Sequence, residues 1–124
     1  MKNVVRTIPE LKLIGDSLFI TAISSDVFNI YHVNDYLKTK GWRMNGQQHP
    51  NAFHFCITGP QATNAGIVAA FESDLKAGVE YAKVQTGDPK SAAMYGGAGR
   101  EIDPSMYMPM LIAYTDVTQS TYPF

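Results

Sequence analysis

The chain of 124 residues has a single cysteine, Cys56. One thiol cannot form a disulfide within the chain, so the expected setting is reducing and intracellular, the cytoplasm. Long apolar runs are missing too: none approaches the ~18 residues of a membrane span. Charge of one sign is scarce. Ten basic and eleven acidic residues leave a net charge of −1, scattered without a basic stripe. Nucleic-acid binding therefore has no electrostatic footprint. Met1-Lys2-Asn3-Val4-Val5-Arg6 has no long apolar run behind its charge, so it does not read as a signal peptide. Internal repeats and low-complexity stretches are also absent. What is present is apolar content, 45% against 17% charged residues, which excludes disorder for the chain as a whole. The length suits one domain around one core.

Residues 1–10 read as an incoming tail ending at Ile8-Pro9-Glu10, where Pro9 disfavours helix. Leu11-Lys12-Leu13 alternates, and Gly15-Asp16-Ser17 supplies turn chemistry. Residues 17–24 are apolar on both faces, as in a central strand, and with the preceding segment suggest a hairpin. Asn29 can cap a helix by accepting from a first-turn amide. Phe28 and Val33 have the spacing of a hydrophobic staple, and Ile30, Val33, Tyr36 and Leu37 form the apolar stripe. Lys38, Lys40 and Gly41 suit the helix end. Residues 42–47 alternate, and Pro50-Asn51 breaks them. Phe53, Phe55 and Ile57 alternate with His54, Cys56 and Thr58 as a strand, closed by Gly59-Pro60.

A long helix is expected over 64–84, with Ile67, Phe71, Leu75, Val79 and Ala82 recurring every three or four residues. Gly87-Asp88-Pro89 ends it, and a helical turn is expected near 91–94. Pro104 suits a first helical position, while Pro109 about one turn later should kink or break that helix. The expected fold class is α+β: a small, mostly antiparallel sheet, elements in the order β-β-α-β-β-α plus a helical tail, with helices packed on one face.

Several spaced blocks then carry a resemblance. They are Ser24-Ser25-Asp26-Val27-Phe28-Asn29-Ile30-Tyr31-His32-Val33, Gly41-Trp42, and Pro50-Asn51-Ala52-Phe53-His54-Phe55-Cys56-Ile57-Thr58. Over about residues 7–85 the chain resembles the C-terminal small domain of the sphingosine-1-phosphate lyases. Those are pyridoxal-phosphate-dependent decarboxylase-type enzymes of the aspartate aminotransferase fold. The resemblance implies that residues 1–10 lead in from a large domain and that 11–124 form the small domain. It implies a homodimer, with pyridoxal phosphate bound by the large domain or chain as partner. It also implies cleavage of a phosphorylated sphingoid base to a long-chain aldehyde and phosphoethanolamine.

The chemistry needs a lysine held as a Schiff base. In the family that lysine follows a histidine; none of the seven lysines here does. The expectation is a domain without catalytic or cofactor-binding residues of its own, inactive alone, supporting active-site closure and dimerisation. Tyr95-Gly96 resembles the family's Tyr-Gly-Met-Ala element, although Gly97 replaces the methionine. Tyr95 and Gly96 are thus candidate substrate-binding residues once a large domain is present.

Two other readings stand beside this one: a free-standing partner-binding module, and a small phosphate-ligand binder using the glycine loop 96–99. His49, His54 and Cys56, with His32 elsewhere, lack the tight paired spacing of a zinc site, so no metal is expected. Trp42 reads as a core anchor. Met106, Met108 and Met110 read as adaptable packing surface, and an exposed apolar patch with self-association is expected.

Overall fold

The computed structural model describes residues 1–94 and 104–120. The order is α1 (Lys2–Arg6), β1 (Lys12–Ile14), β2 (Ile20–Ser24), α2 (Ile30–Thr39), β3 (Asn45–Gln47), β4 (Ala52–Cys56), α3 (Gly59–Thr63), α4 (Ile67–Lys83), a 3-10 turn (Lys90–Met94) and α5 (Pro104–Ser120). The strands form one antiparallel sheet in the order β1-β2-β4-β3. This is the expected α+β layout, with helices against the sheet.

Pairing sets the faces. Leu13 lies opposite Ile23, Ile23 opposite Phe53, and Thr21 opposite Phe55. Paired residues point the same way, so these side chains share the core face. Ile23, Phe53, Phe55 and Thr21 are all buried. Phe71 of α4 reaches this face, its ring 5.2 Å from that of Phe55 and 5.4 Å from that of Trp42. The other face carries Ile14, Ile20, Ala22, Ser24, Ala52, His54 and Cys56, of which Ala22, Ser24 and Ala52 are buried.

Helix α2 is built as its sequence signals predict. The Asn29 side chain accepts from the Tyr31 amide at 3.1 Å. Phe28 packs at the edge of the core, and Ile30, Val33 and Leu37 are buried. At the far end Gly41 adopts φ 87°. Its N–H donates to the Lys38 carbonyl, and the Trp42 N–H donates to that of Leu37. Those two bonds make a Schellman cap, and its Trp42–Leu37 pair joins the core.

Three segments differ from expectation. Within residues 1–10, positions 2–6 form α1, whose Val4 and Val5 enter the core. Gly59-Pro60 opens a helix instead of only closing a strand: Thr58 and Gln61 form a capping box, with proline in the first turn. The long helix accordingly divides, α3 first and α4 from Ile67. Finally, α5 runs through Pro109 without a break. The proline removes one N–H about a turn from the helix start, so one ladder bond is lost and the rest remain.

Candidate functional site

Tyr95 and Gly96, the candidate substrate-binding residues, and the rest of the glycine loop 96–99 lie outside the described residues. The segment leading to them is firmly held. Asp35 on α2 accepts the backbone N–H of Lys90 at 2.6 Å and of Ser91 at 2.9 Å. The carboxylate thus meets the free amides at the start of the 3-10 turn, where negative charge is favoured. Ser91 donates its hydroxyl to the Tyr31 carbonyl at 3.2 Å, and Ala92 is fully buried. Tyr31 is itself buried, and its phenol donates to the Gln47 carbonyl at 2.6 Å. Burial pushes that phenol above its ordinary pKa, which keeps it a donor. A chain of contacts therefore runs from the β3 end through α2 to residue 92. Sequence reasoning missed Asp35 and Tyr31 in these roles. The only local hint was an acidic residue in a helix whose partner amides lie more than fifty positions away.

Lys2 pairs with Asp16 at 2.9 Å, Lys12 with Asp26, Lys76 with Glu72 at 2.5 Å, and Lys83 with both Glu10 at 2.5 Å and Glu80 at 2.7 Å. Lys40 lies over the Tyr36 ring, 5.4 Å from its centroid. Lys38 and Lys90 are exposed. A Schiff-base lysine needs a desolvated pocket or a cationic neighbour that lowers its pKa. Lys83 has the opposite setting: its carboxylate partners hold its pKa above the ordinary lysine value. Five of the seven lysines are thus held by carboxylates or an aromatic ring, and Lys38 and Lys90 stand at the surface.

His54 and Cys56 share the open sheet face, as the strand pattern predicts. His54 Nδ1 is 2.8 Å from the Gln47 side-chain oxygen. His49 sits apart in the β3–β4 turn, with φ 54°. Among the described residues, no group of three or more His, Cys, Asp or Glu is placed to hold a metal ion. No helix among them is long and apolar enough to cross a membrane.

What the surface does offer is apolar. Leu18 is 78% exposed and Phe19 64%, at the mouth of β2. Along α5, Met108, Met110, Leu111, Ile112, Tyr114 and Val117 are exposed on all sides of the helix. A helix apolar all round is ordinarily buried, and large side chains in such number mark contact surface. The Met-rich stretch was legible in the sequence. Leu18 and Phe19 were not, because the strand pattern placed them inside the sheet, whereas β2 begins at Ile20.

No protein-family profile matches the chain. Among curated proteins it is 36% identical over 115 residues to the sphingosine-1-phosphate lyase of Arabidopsis thaliana, covering 90% of this chain and 21% of that relative. It is 35% identical over 116 residues to that of Dictyostelium discoideum, with 90% and 21% covered. Among solved structures it superposes on the sphingosine-1-phosphate lyase of Burkholderia pseudomallei with a TM-score of 0.63 and 38% identity, covering 91% of this chain and 22% of the other. The chain thus spans about a fifth of the length of the relatives it matches.

Proposed function

From the premise that this chain belongs to the sphingosine-1-phosphate lyase family, we propose that it is the C-terminal small domain of a pyridoxal-phosphate-dependent carbon–carbon lyase. In this reading residues 1–10 lead in from a large domain, covalently joined or a separate chain, and that partner holds the cofactor and its lysine. The small domain closes the active site and supports a homodimer. With that large domain present, Tyr95 and Gly96 contribute to binding the phosphorylated substrate, and the setting is the cytoplasm. The observation that carries this reading is the match itself: nearly the whole chain aligns with one fifth of a much larger enzyme. The surface lysines agree with it, since none has the setting a Schiff base needs. So do the exposed apolar residues of α5 and Leu18-Phe19, which suit a domain contact.

The test is direct. Purified chain is incubated with a phosphorylated sphingoid base, alone and with a cofactor-loaded protein carrying the remaining four-fifths of a related lyase. The expected result is no aldehyde from the chain alone and aldehyde from the mixture above that of the large part by itself. Aldehyde from the chain alone, or a mixture no better than the large part, overturns the proposal. A free-standing partner-binding module would give the second outcome.

A further inference from the structure

Helices α2 and α4 and the 85–91 segment enclose an open groove of about 650 Å³, within the size range of small-molecule sites. His32 lines it. This residue is only 7% exposed, yet among the described residues its ring has no hydrogen-bond partner. Its ring nitrogens are not among the fully buried side-chain atoms left without a partner, so the imidazole edge is open to the groove.

The rest of the lining states what would fit. Tyr36 and Tyr81 form an aromatic wall, their ring centroids 5.5 Å apart. Asp35 is already committed to the amides of Lys90 and Ser91. Lys38 and Lys90 line the groove with exposed ammonium groups that take part in no ion pair among the described residues. Asp88 is the one lining carboxylate not committed in this way. Two uncommitted cations against one anion, an imidazole donor and a pair of tilted tyrosine rings suit a monoanion with an aromatic body.

We propose that this groove binds an aromatic carboxylate, with His32 donating a hydrogen bond to the carboxylate and Tyr36 and Tyr81 contacting the ring. The site is independent of the proposed lyase role, because none of its groups is assigned there to substrate or cofactor.

The experiment titrates the full 124-residue chain with benzoate up to millimolar levels, followed by amide and imidazole NMR shifts. Acetate (charge without ring) and benzamide (ring without charge) serve as comparisons. Saturable shifts at His32, Tyr81 and Ser91 are expected with benzoate and not with the other two. His32→Ala should weaken binding about tenfold or more, the loss of one hydrogen bond to a charged group. Lys38→Gln with Lys90→Gln, both surface changes, should weaken it several-fold without altering the spectrum elsewhere. If His32→Ala does not fold, the double lysine variant decides. No saturable shift with benzoate, equal binding of benzamide, or unchanged affinity in the lysine variant overturns the proposal.

Discussion

Asn34 is fully buried in α2, and neither its side-chain oxygen nor its nitrogen has a partner among the described residues. Leaving such an amide unpaired costs roughly 1–3 kcal/mol, whereas an apolar side chain of similar shape carries no such penalty. Asn34→Leu should therefore raise the urea midpoint of the chain, by about 1 kcal/mol or more in unfolding free energy. A lower midpoint would show that the amide is engaged after all. Glu10 makes a second residue-level prediction. The Lys83 ammonium that donates to it holds its carboxyl below the ordinary value of 4.5. A carboxyl depressed by folding contributes stability above its unfolded pKa and loses it as pH falls through the folded one. Lys83, raised above 10.5, contributes below that value and loses its share as pH rises through its folded pKa. On acidification from neutrality to about pH 3, Glu10→Gln should lose less stability than the parent chain in denaturant titrations. Equal losses would remove Glu10 from the acid response. The pair is only partly buried, so the difference should shrink in high salt. Asn29 was legible at this scale because capping depends on neighbours in sequence. Tyr31 was not, because its burial depends on a carbonyl at Gln47, sixteen positions on. The helical period instead gave the stripe to Tyr36, which is half-buried.

Helix α2 owes its end to Gly41, whose left-handed φ of 87° strains any residue with a Cβ. Gly41→Ala should destabilise the chain by about 1 kcal/mol. A thermal melt reads this, and an unchanged melting temperature would mean that the Schellman cap contributes little. Where α2 crosses α4, Gly78 allows the approach. A Cβ there would come within 3.3 Å of both Val33 and Tyr36. Val33 is fully buried and cannot yield, so Gly78→Leu should cost about 1–3 kcal/mol by overpacking. Full retention of stability would show that the helices separate easily. The elements themselves were largely legible, since period and capping are local properties. The exceptions share one cause. Gly59-Pro60 and Pro109 read as breakers, yet each proline sits within the first two turns of its helix, where the ladder loses least. Residues 2–6 lacked a long apolar period, and their helix is held by two valines entering the core.

For the molecule as a whole, the α+β class followed from the order of periodic segments. The strand order did not. β2 pairs with β4 across the intervening helix, a contact no local pattern encodes. The exposed apolar side chains were foreseen in kind, and their placement at Leu18, Phe19 and α5 needed the fold. If these side chains form a contact surface, the isolated chain should self-associate as concentration rises, a behaviour sedimentation velocity measures. Leu18→Lys with Phe19→Lys should move it toward monomer while leaving the melting temperature nearly unchanged, because neither side chain is part of the core. An undiminished oligomer would place the contact elsewhere.

The two outer strands set a limit on what such association can build. β1 and β3 are three residues each, and β1 carries the exposed Lys12. So short a rim, with a charge on one side, gives another strand little backbone to copy. If copies of this chain associate by their faces, they have poor means of growing a continuous ribbon. Concentrated solutions should therefore hold small closed clusters rather than fibrils.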